Sequence, residues 1–277
     1  MGILALVSIH FFAEPFRWAV YLRSKNKEVL FSLIYIFSST AFFSYILPAK
    51  LGIPLRFWLL KSYQKLSAAT ISVYMLADST MSIVLWALAS FIFGGHFAFD
   101  IIKQSLKRLE QVNTSLVVLI ILGGMGLFFL LVPRRQKKNI HKNLKEVFCK
   151  LNWHQAAGIV LLFSLDIASY VLRHALIIVM VGGPYLEWRS IIAITVLSIF
   201  AGFISAMPMG LIGYDATIVL LLMQQGMSVE AAVSVPMINR AANLLVSVFL
   251  GIPSAIKLQI GFNVKELIRK LKLSKNV

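Results

Sequence analysis

Apolar positions along this chain fall in long unbroken runs, neither alternating nor set against a charged helical face. Residues 29–49, 111–133 and 190–214 are almost wholly apolar and carry no charged side chain. Each run approaches or exceeds the roughly 20 residues that a helix needs to cross a bilayer. The strands of a membrane barrel would instead alternate apolar with polar positions. The runs and their breakers predict helices over 3–21, 29–47, 68–93, 114–133, 155–181, 190–207 and 231–256. Two further segments, 49–65 and 209–225, follow Pro48 and Pro208. The first is interrupted by Gly52 and Pro54, the second by Gly210 and Gly213. Broken segments at membrane depth are tolerated where protein buries them or where they line a cavity. Pro48, Gly52, Pro208, Gly210 and Gly213 are therefore expected to line one. The fold class expected is an all-α polytopic integral membrane protein, with about seven clear transmembrane helices plus two broken or re-entrant segments. All of it forms a single transmembrane domain, 1–277.

Composition agrees with the pattern: of the 277 residues, 59% are hydrophobic and only 14% charged, with a mean hydropathy of +0.83. Soluble domains run near 25% charged, so a soluble enzyme and a disordered chain are excluded. Charge then orients the helices. The net charge is +16, and its position matters more than its size. Arg134, Arg135, Lys137, Lys138, Lys142, Lys145 and Lys150 face only Glu146 in the loop 134–152. Lys257, Lys265, Arg269, Lys270, Lys272 and Lys275 face only Glu266 at the C-terminus, where 259–277 reads as a basic tail. Arg23, Lys25 and Lys27 face Glu28. Cytoplasmic loops collect Lys and Arg, so topology accounts for the excess without nucleic acid. The basic stretches also suit anionic lipid at the surface.

The three basic stretches share a side only if 49–65 and 209–225 both traverse. That gives nine traverses, N-terminus outside and C-terminus in the cytoplasm; the alternative is two re-entrant hairpins with one basic loop facing out. Cys149 is the sole cysteine, which excludes an intramolecular disulfide. The N-terminal run lacks a basic start and is interrupted by Glu14 and Arg17, unlike a signal peptide. No appended soluble domain is expected within these residues.

An internal repeat is also predicted. Leu66-Ser67-Ala68-Ala69-Thr70-Ile71-Ser72-Val73-Tyr74-Met75, ending at Asp78, aligns with Met227-Ser228 and Ala231-Ala232-Val233-Ser234-Val235-Pro236-Met237, ending at Arg240. Each lies a similar distance past its proline. On the nine-traverse reading, the halves at about 29–113 and 190–258 are inverted in the membrane, an arrangement common among transporters. The alternative is that Ser, Ala, Val and Met match because membrane helices are rich in them.

Ionisable residues inside membrane helices mark function by default. Glu14 with Arg17, and Asp166 with Arg173, stand three and seven apart and so share a helix face; each pair either neutralises itself or contacts a headgroup. Arg240 has no acid within a turn, which leaves a bridge to Asp78 or Asp215, or an anionic ligand. Arginine's planar fork suits phosphate. Lys50 and Arg56 sit on a broken helix start, whose free N–H groups favour anions. They are either headgroup ligands or, with Lys61 and Lys65, interfacial cations beside Trp58 and Tyr63. The histidines show no HxxxH or HExxH spacing and the acids are scattered singly, so no metal, cofactor or catalytic constellation is expected.

Pro48-x-Lys50-x-Gly52-x3-Arg56 resembles the P-x-R-x-G-E-x-x-R element of the lysylphosphatidylglycerol synthase/flippase transmembrane family. Pro208-x-Gly210-x2-Gly213-x-Asp215 resembles its second element, a proline followed by glycines and an acid. The run from Gly226 to Arg240 and the dipeptide Arg17-Trp18 are also similar to that family's pattern. Ile53 and Asp215 stand where the family usually has Glu, and the chain starts about one helix later than the pattern. The resemblance implies the transmembrane part alone, which in some members moves aminoacylated phospholipid between leaflets. In others it accompanies glycosyl transfer to polyprenyl-phosphate lipids. The expected function is a lipid translocase of a bacterial or archaeal inner membrane. Lys50, Arg56 and Arg240 would hold headgroup phosphate, while Asp78, Asp215, Asp166 and Arg173 balance charge or contact the headgroup. Its partners would be membrane lipids and a glycosyltransferase or lipid-modifying enzyme. The rival readings are a non-catalytic lipid-presenting partner of such an enzyme and a proton-coupled small-anion transporter.

Overall fold

The computed structural model describes residues 1–22, 27–46, 52–108, 152–204 and 211–260, with the side chains of 27–28, 46, 96–108, 203–204 and 211–212 left aside. The expected helix 114–133, the basic loop with Cys149, Pro48, Lys50, Pro208, Gly210 and most of the basic tail lie outside the described residues. Those described form eight helices: α1 (Gly2–Tyr21), α2 (Lys27–Ile46), α3 (Gly52–Tyr63), α4 (Ala68–Arg108), α5 (Trp153–Met180), α6 (Trp188–Ile204), α7 (Leu211–Gln224) and α8 (Val229–Lys257). The protein is thus an all-helical polytopic membrane protein. Among the described residues, four helices are long and apolar enough to span: Gly2–Tyr21, Ala68–Gly95, Trp153–Met180 and Val229–Lys257. At 1.5 Å per residue, α3 and α7 are about 18 and 21 Å long, short of a hydrocarbon core of about 30 Å.

Local chemistry sets the boundaries. Ser67 Oγ accepts from the Thr70 N–H at the start of α4, and Ser228 Oγ accepts from the Ala231 N–H at the start of α8. These are N-caps. Asn152 and Gln155 form a reciprocal capping box at the start of α5. Helices α5 and α7 end alike, with Gly182 at φ +70 and Gly226 at φ +85. The next N–H reaches back in each, Gly183 to Ile178 O and Met227 to Leu222 O. Only glycine enters that left-handed cap without strain. The sequence expectation for α4 stopped near 93, yet the helix continues through Gly94 and Gly95 to Arg108. Gly94 is a contact position, where a Cβ would sit 2.8 Å from Leu197 of α6.

Packing follows small residues, as expected where no hydrophobic force separates helix from lipid. Helix α2 carries Ser38, Ser39 and Thr40, all buried. Gly52 of α3 lies against it, with no room for a Cβ beside the Thr40 carbonyl and Ser44. Gly251 of α8 lies against its other side, at Ser38 and Phe42. Helix α2 packs on α8 and α3, α4 packs on α6, α1 packs on α5, and α6 packs on α7.

The clusters fix direction. Ile3 packs with Ile177, Val181, Leu186 and Met227 at one end of the bundle. Leu22, Val29, Leu66, Leu258 and Ile260 pack together at the other, joined by Tyr21 against Ile159. Helix α3 runs back along α2: Gly52 meets Ser44, Arg56 donates to Thr40, and Tyr63 donates to the Leu258 carbonyl. The residues flanking all three basic stretches, near 22–27, 152 and 260, therefore lie at one end. This is the parity that nine traverses require.

Candidate functional site

Helix α5 shows how the bundle sorts its residues. Leu161, Leu165, Leu172, Leu176 and Val179 are exposed, whereas Ile159, Phe163, Asp166, Ser169, Arg173, His174 and Ile177 are buried. The exposed stripe suits acyl chains, and the charged face turns inward, where charges in membrane proteins belong.

That interior holds four arginines and four carboxylates. Arg17 of α1 donates through Nε to Asp78 Oδ1 of α4 at 3.0 Å, and its guanidinium lies 4.1 Å over the Phe163 ring. Arg56 of α3 reaches Glu14 of α1 at 2.5 Å, with Thr40 as a second acceptor. Arg240 of α8 grips Asp215 of α7 through Nε at 3.1 Å and Nη2 at 2.7 Å. The fourth pair is split. Asp166 meets His10 Nδ1 at 2.8 Å. Arg173, fully buried, meets the Asn243 side-chain oxygen at 3.5 Å, with its guanidinium 4.2 Å over the Tyr170 ring, and no carboxylate among the described residues bonds to it.

The same-helix pairings considered from sequence are not what forms. Glu14 and Arg17 each bond to a different helix, and so does Asp166, because side chains three or seven apart both point at the neighbours that desolvate them. Of the two carboxylates considered for Arg240, Asp215 is the one engaged, and Asp78 belongs to Arg17. Gly52 serves a helix crossing. Gly213 sits in the first turn of α7, beside Tyr214, whose Cβ is 3.1 Å from where a Cβ on Gly202 would be.

A neutral polar chain beside Arg173 escaped the sequence reading. The Asn239 amide donates to the Tyr214 hydroxyl at 2.9 Å. Tyr214 is 2.7 Å from His174 Nε2, and His174 Nδ1 is 2.9 Å from Thr195 Oγ1. With Tyr214 donating to Nε2, Nδ1–H donates to Thr195, a neutral imidazole satisfied on both sides. The readable signal was a stripe on α8: Asn239, Asn243, Ser247 and Gly251 recur every four residues, and all are buried. Asn243 donates back to the Asn239 carbonyl. Among the described residues, no three His, Cys, Asp or Glu side chains gather as a metal site.

No curated protein and no solved structure matches the chain. A match does come from a family model, the lysylphosphatidylglycerol synthase TM region, and it covers residues 1–251. That stretch includes every ion pair described above, and on this match the chain belongs to the lysylphosphatidylglycerol synthase transmembrane-region family.

Proposed function

We propose that this protein is a lipid translocase, which moves an anionic or aminoacylated phospholipid, or a polyprenyl-phosphate-linked sugar, between leaflets of the inner membrane. The observation that carries the reading is the charged interior itself. Four arginines, four carboxylates and a chain of hydroxyls and amides occupy helices whose outer faces are apolar. An isolated charge at the bilayer centre costs at least about 2.5–3.5 kcal/mol on insertion scales. A protein that keeps so many there has a use for them, and three of the carboxylates hold arginines that suit phosphate. The acyl chains would stay in lipid while the headgroup crosses beside α5 and α8.

An inverted relation between the halves would favour the same reading. Exchanging α1–α4 with α5–α8 turns the α2–α8 packing into the α6–α4 packing. Ser67 and Ser228 cap corresponding helices. At those contacts Gly94 of α4 meets Leu197 of α6, and Gly251 of α8 meets Phe42 of α2. The shared end of the basic stretches would be cytoplasmic by the positive-inside rule, placing the C-terminus inside. Any glycosyltransferase or lipid-modifying partner would then meet the basic surface there.

The test is headgroup movement in proteoliposomes made from the source membrane's lipid, with one leaflet chemically labelled over time. The comparison is wild type against Arg240→Ala combined with Asp215→Asn, which removes the cation without stranding the acid. Protein-dependent loss of asymmetry, abolished by the double variant, is expected. No movement by folded wild-type protein would overturn translocation and leave the lipid-presenting role.

A further inference from the structure

Arg173 differs from every other arginine in the described interior, and the difference lies in two named atoms. Its Nε and Nη2 are buried and make no hydrogen bond. In Arg240 the same two nitrogens grip the Asp215 carboxylate. They form the edge of the guanidinium that binds planar or tetrahedral oxyanions with two parallel bonds. The fork occupied in Arg240 is therefore empty in Arg173, at a site with no exposure.

Arg17 of α1 shows by contrast what is missing. Arg17 and Arg173 stand 156 residues apart, the same separation as the bonded pair His10 and Asp166. Arg17 has Asp78, contributed by α4. Beside Arg173, α8 offers only the side-chain oxygen of Asn243 in place of a carboxylate. Around Arg173 stand groups that can donate to an anion or tolerate one: Tyr170, Asn243, and His174 with Tyr214 behind it. Asp166, two turns away on the same helix, is engaged by His10. A buried cation without a carboxylate destabilises the protein that holds it. The arrangement makes physical sense if a ligand supplies the anion.

We infer that Arg173 is an oxyanion-binding residue of the interior, and that its ligand is the singly charged phosphodiester of a lipid headgroup. The phosphate enters between α5 and α8, displaces the 3.5 Å contact to Asn243, and takes the Nε and Nη2 fork. The lipid identity of the ligand rests on the translocase reading, whereas the oxyanion site does not. Free phosphate has the same chemistry, so the experiment separates the two sources.

Purified protein in nonionic detergent is unfolded thermally, following tryptophan fluorescence. It is titrated with dihexanoyl phosphatidylglycerol, inorganic phosphate, or dihexanoylglycerol, which lacks phosphate. For wild type, the short-chain phospholipid should raise the midpoint by at least about 3 °C at saturation, and dihexanoylglycerol should not. Arg173→Met should abolish that rise while unfolding, without ligand, at or above the wild-type temperature, since it loses no ion pair. Arg173→Lys keeps the charge but not the fork, and its apparent affinity should fall at least about tenfold. A response to inorganic phosphate equal to that of the phospholipid would keep the site and overturn the lipid as its ligand. An undiminished response in Arg173→Met, or no response in wild type, would overturn the site. A large drop in the ligand-free midpoint would make Arg173 structural. If Arg173→Met does not fold, Arg173→Lys decides, and unchanged affinity there overturns the inference. Because binding is read here and movement above, Arg173-dependent binding without leaflet exchange would remove translocation alone.

Discussion

Arg17 and Asp78 meet across α1 and α4 with 5% and 8% of their surface exposed, joined by a 3.0 Å hydrogen bond. Removing one member of a buried pair strands the other, at a cost of about 3–5 kcal/mol. Asp78→Leu should therefore sharply lower the unfolding midpoint in detergent, or prevent accumulation in the membrane. Arg17→Met combined with Asp78→Leu should recover most of that loss, because the apolar pair needs no desolvated partner. A double variant no better than the single one would show that the pair does more than neutralise itself.

The pair Arg240 and Asp215 has better geometry and less at stake. Their side chains are 27% and 26% exposed, so this pair is less completely desolvated than Arg17 and Asp78. Asp215→Asn should cost clearly less than Asp78→Asn and leave a folded protein. It should also free the Arg240 fork and strengthen binding of dihexanoyl phosphatidylglycerol. Unfolding midpoints of Asp215→Asn and Asp78→Asn, measured side by side, check the contrast; equal losses would mean that burial does not separate the two pairs.

How much of this was legible in the sequence depended on charge. Helix positions followed from apolar runs, because in lipid a run must satisfy its own backbone, and the 49–65 and 209–225 breaks were visible as proline and glycine. The ionised residues stood out for the same reason. Their partners did not, since Glu14 finds Arg56, and Arg17 finds Asp78, only through the packing of separate helices. The neutral members were hidden further. His174, Tyr214 and Asn239 resemble ordinary helix residues until burial makes their hydrogen bonds obligatory. The uncharged run after Arg240 masked the Asn239, Asn243 and Ser247 stripe. Gly94 and Gly95 looked like a helix end because a glycine needed for contact and a glycine needed for a turn are the same letter.

Glycines at the crossings give a sharp test of the packing. A Cβ on Gly52 would lie 2.5 Å from the Thr40 carbonyl, and one on Gly251 would overlap the Phe42 Cβ. Neither neighbour can rotate away, so Gly52→Ala and Gly251→Ala should each destabilise by about 1–3 kcal/mol. Gly158, inside α5, has open space where a methyl group would stand, with nothing within 4 Å. Gly158→Ala should stabilise by roughly 0.5–1 kcal/mol through helix propensity. Thermal midpoints of the three variants check this, and a tolerated Gly52→Ala would contradict the close approach of α3 to α2.

Orientation can be read by thiol labelling in a Cys149→Ser background. Tyr185, 92% exposed, lies in the turn between α5 and α6, at the end where Ile3 meets Leu186 and Met227. Asn152 and Gln259 are exposed at the opposite end, beside the basic stretches. In intact cells a membrane-impermeant maleimide should label Tyr185→Cys, and should reach Asn152→Cys and Gln259→Cys only after permeabilisation. The sign comes from the positive charge flanking those two positions, and their agreement comes from the parity of the helices. Labelling of Asn152→Cys and Gln259→Cys from opposite sides would break that parity, since α5 to α8 make an even number of passes between them. Labelling of both from outside would keep the fold and invert it, placing the basic surface, and any enzyme docked on it, at the outer face.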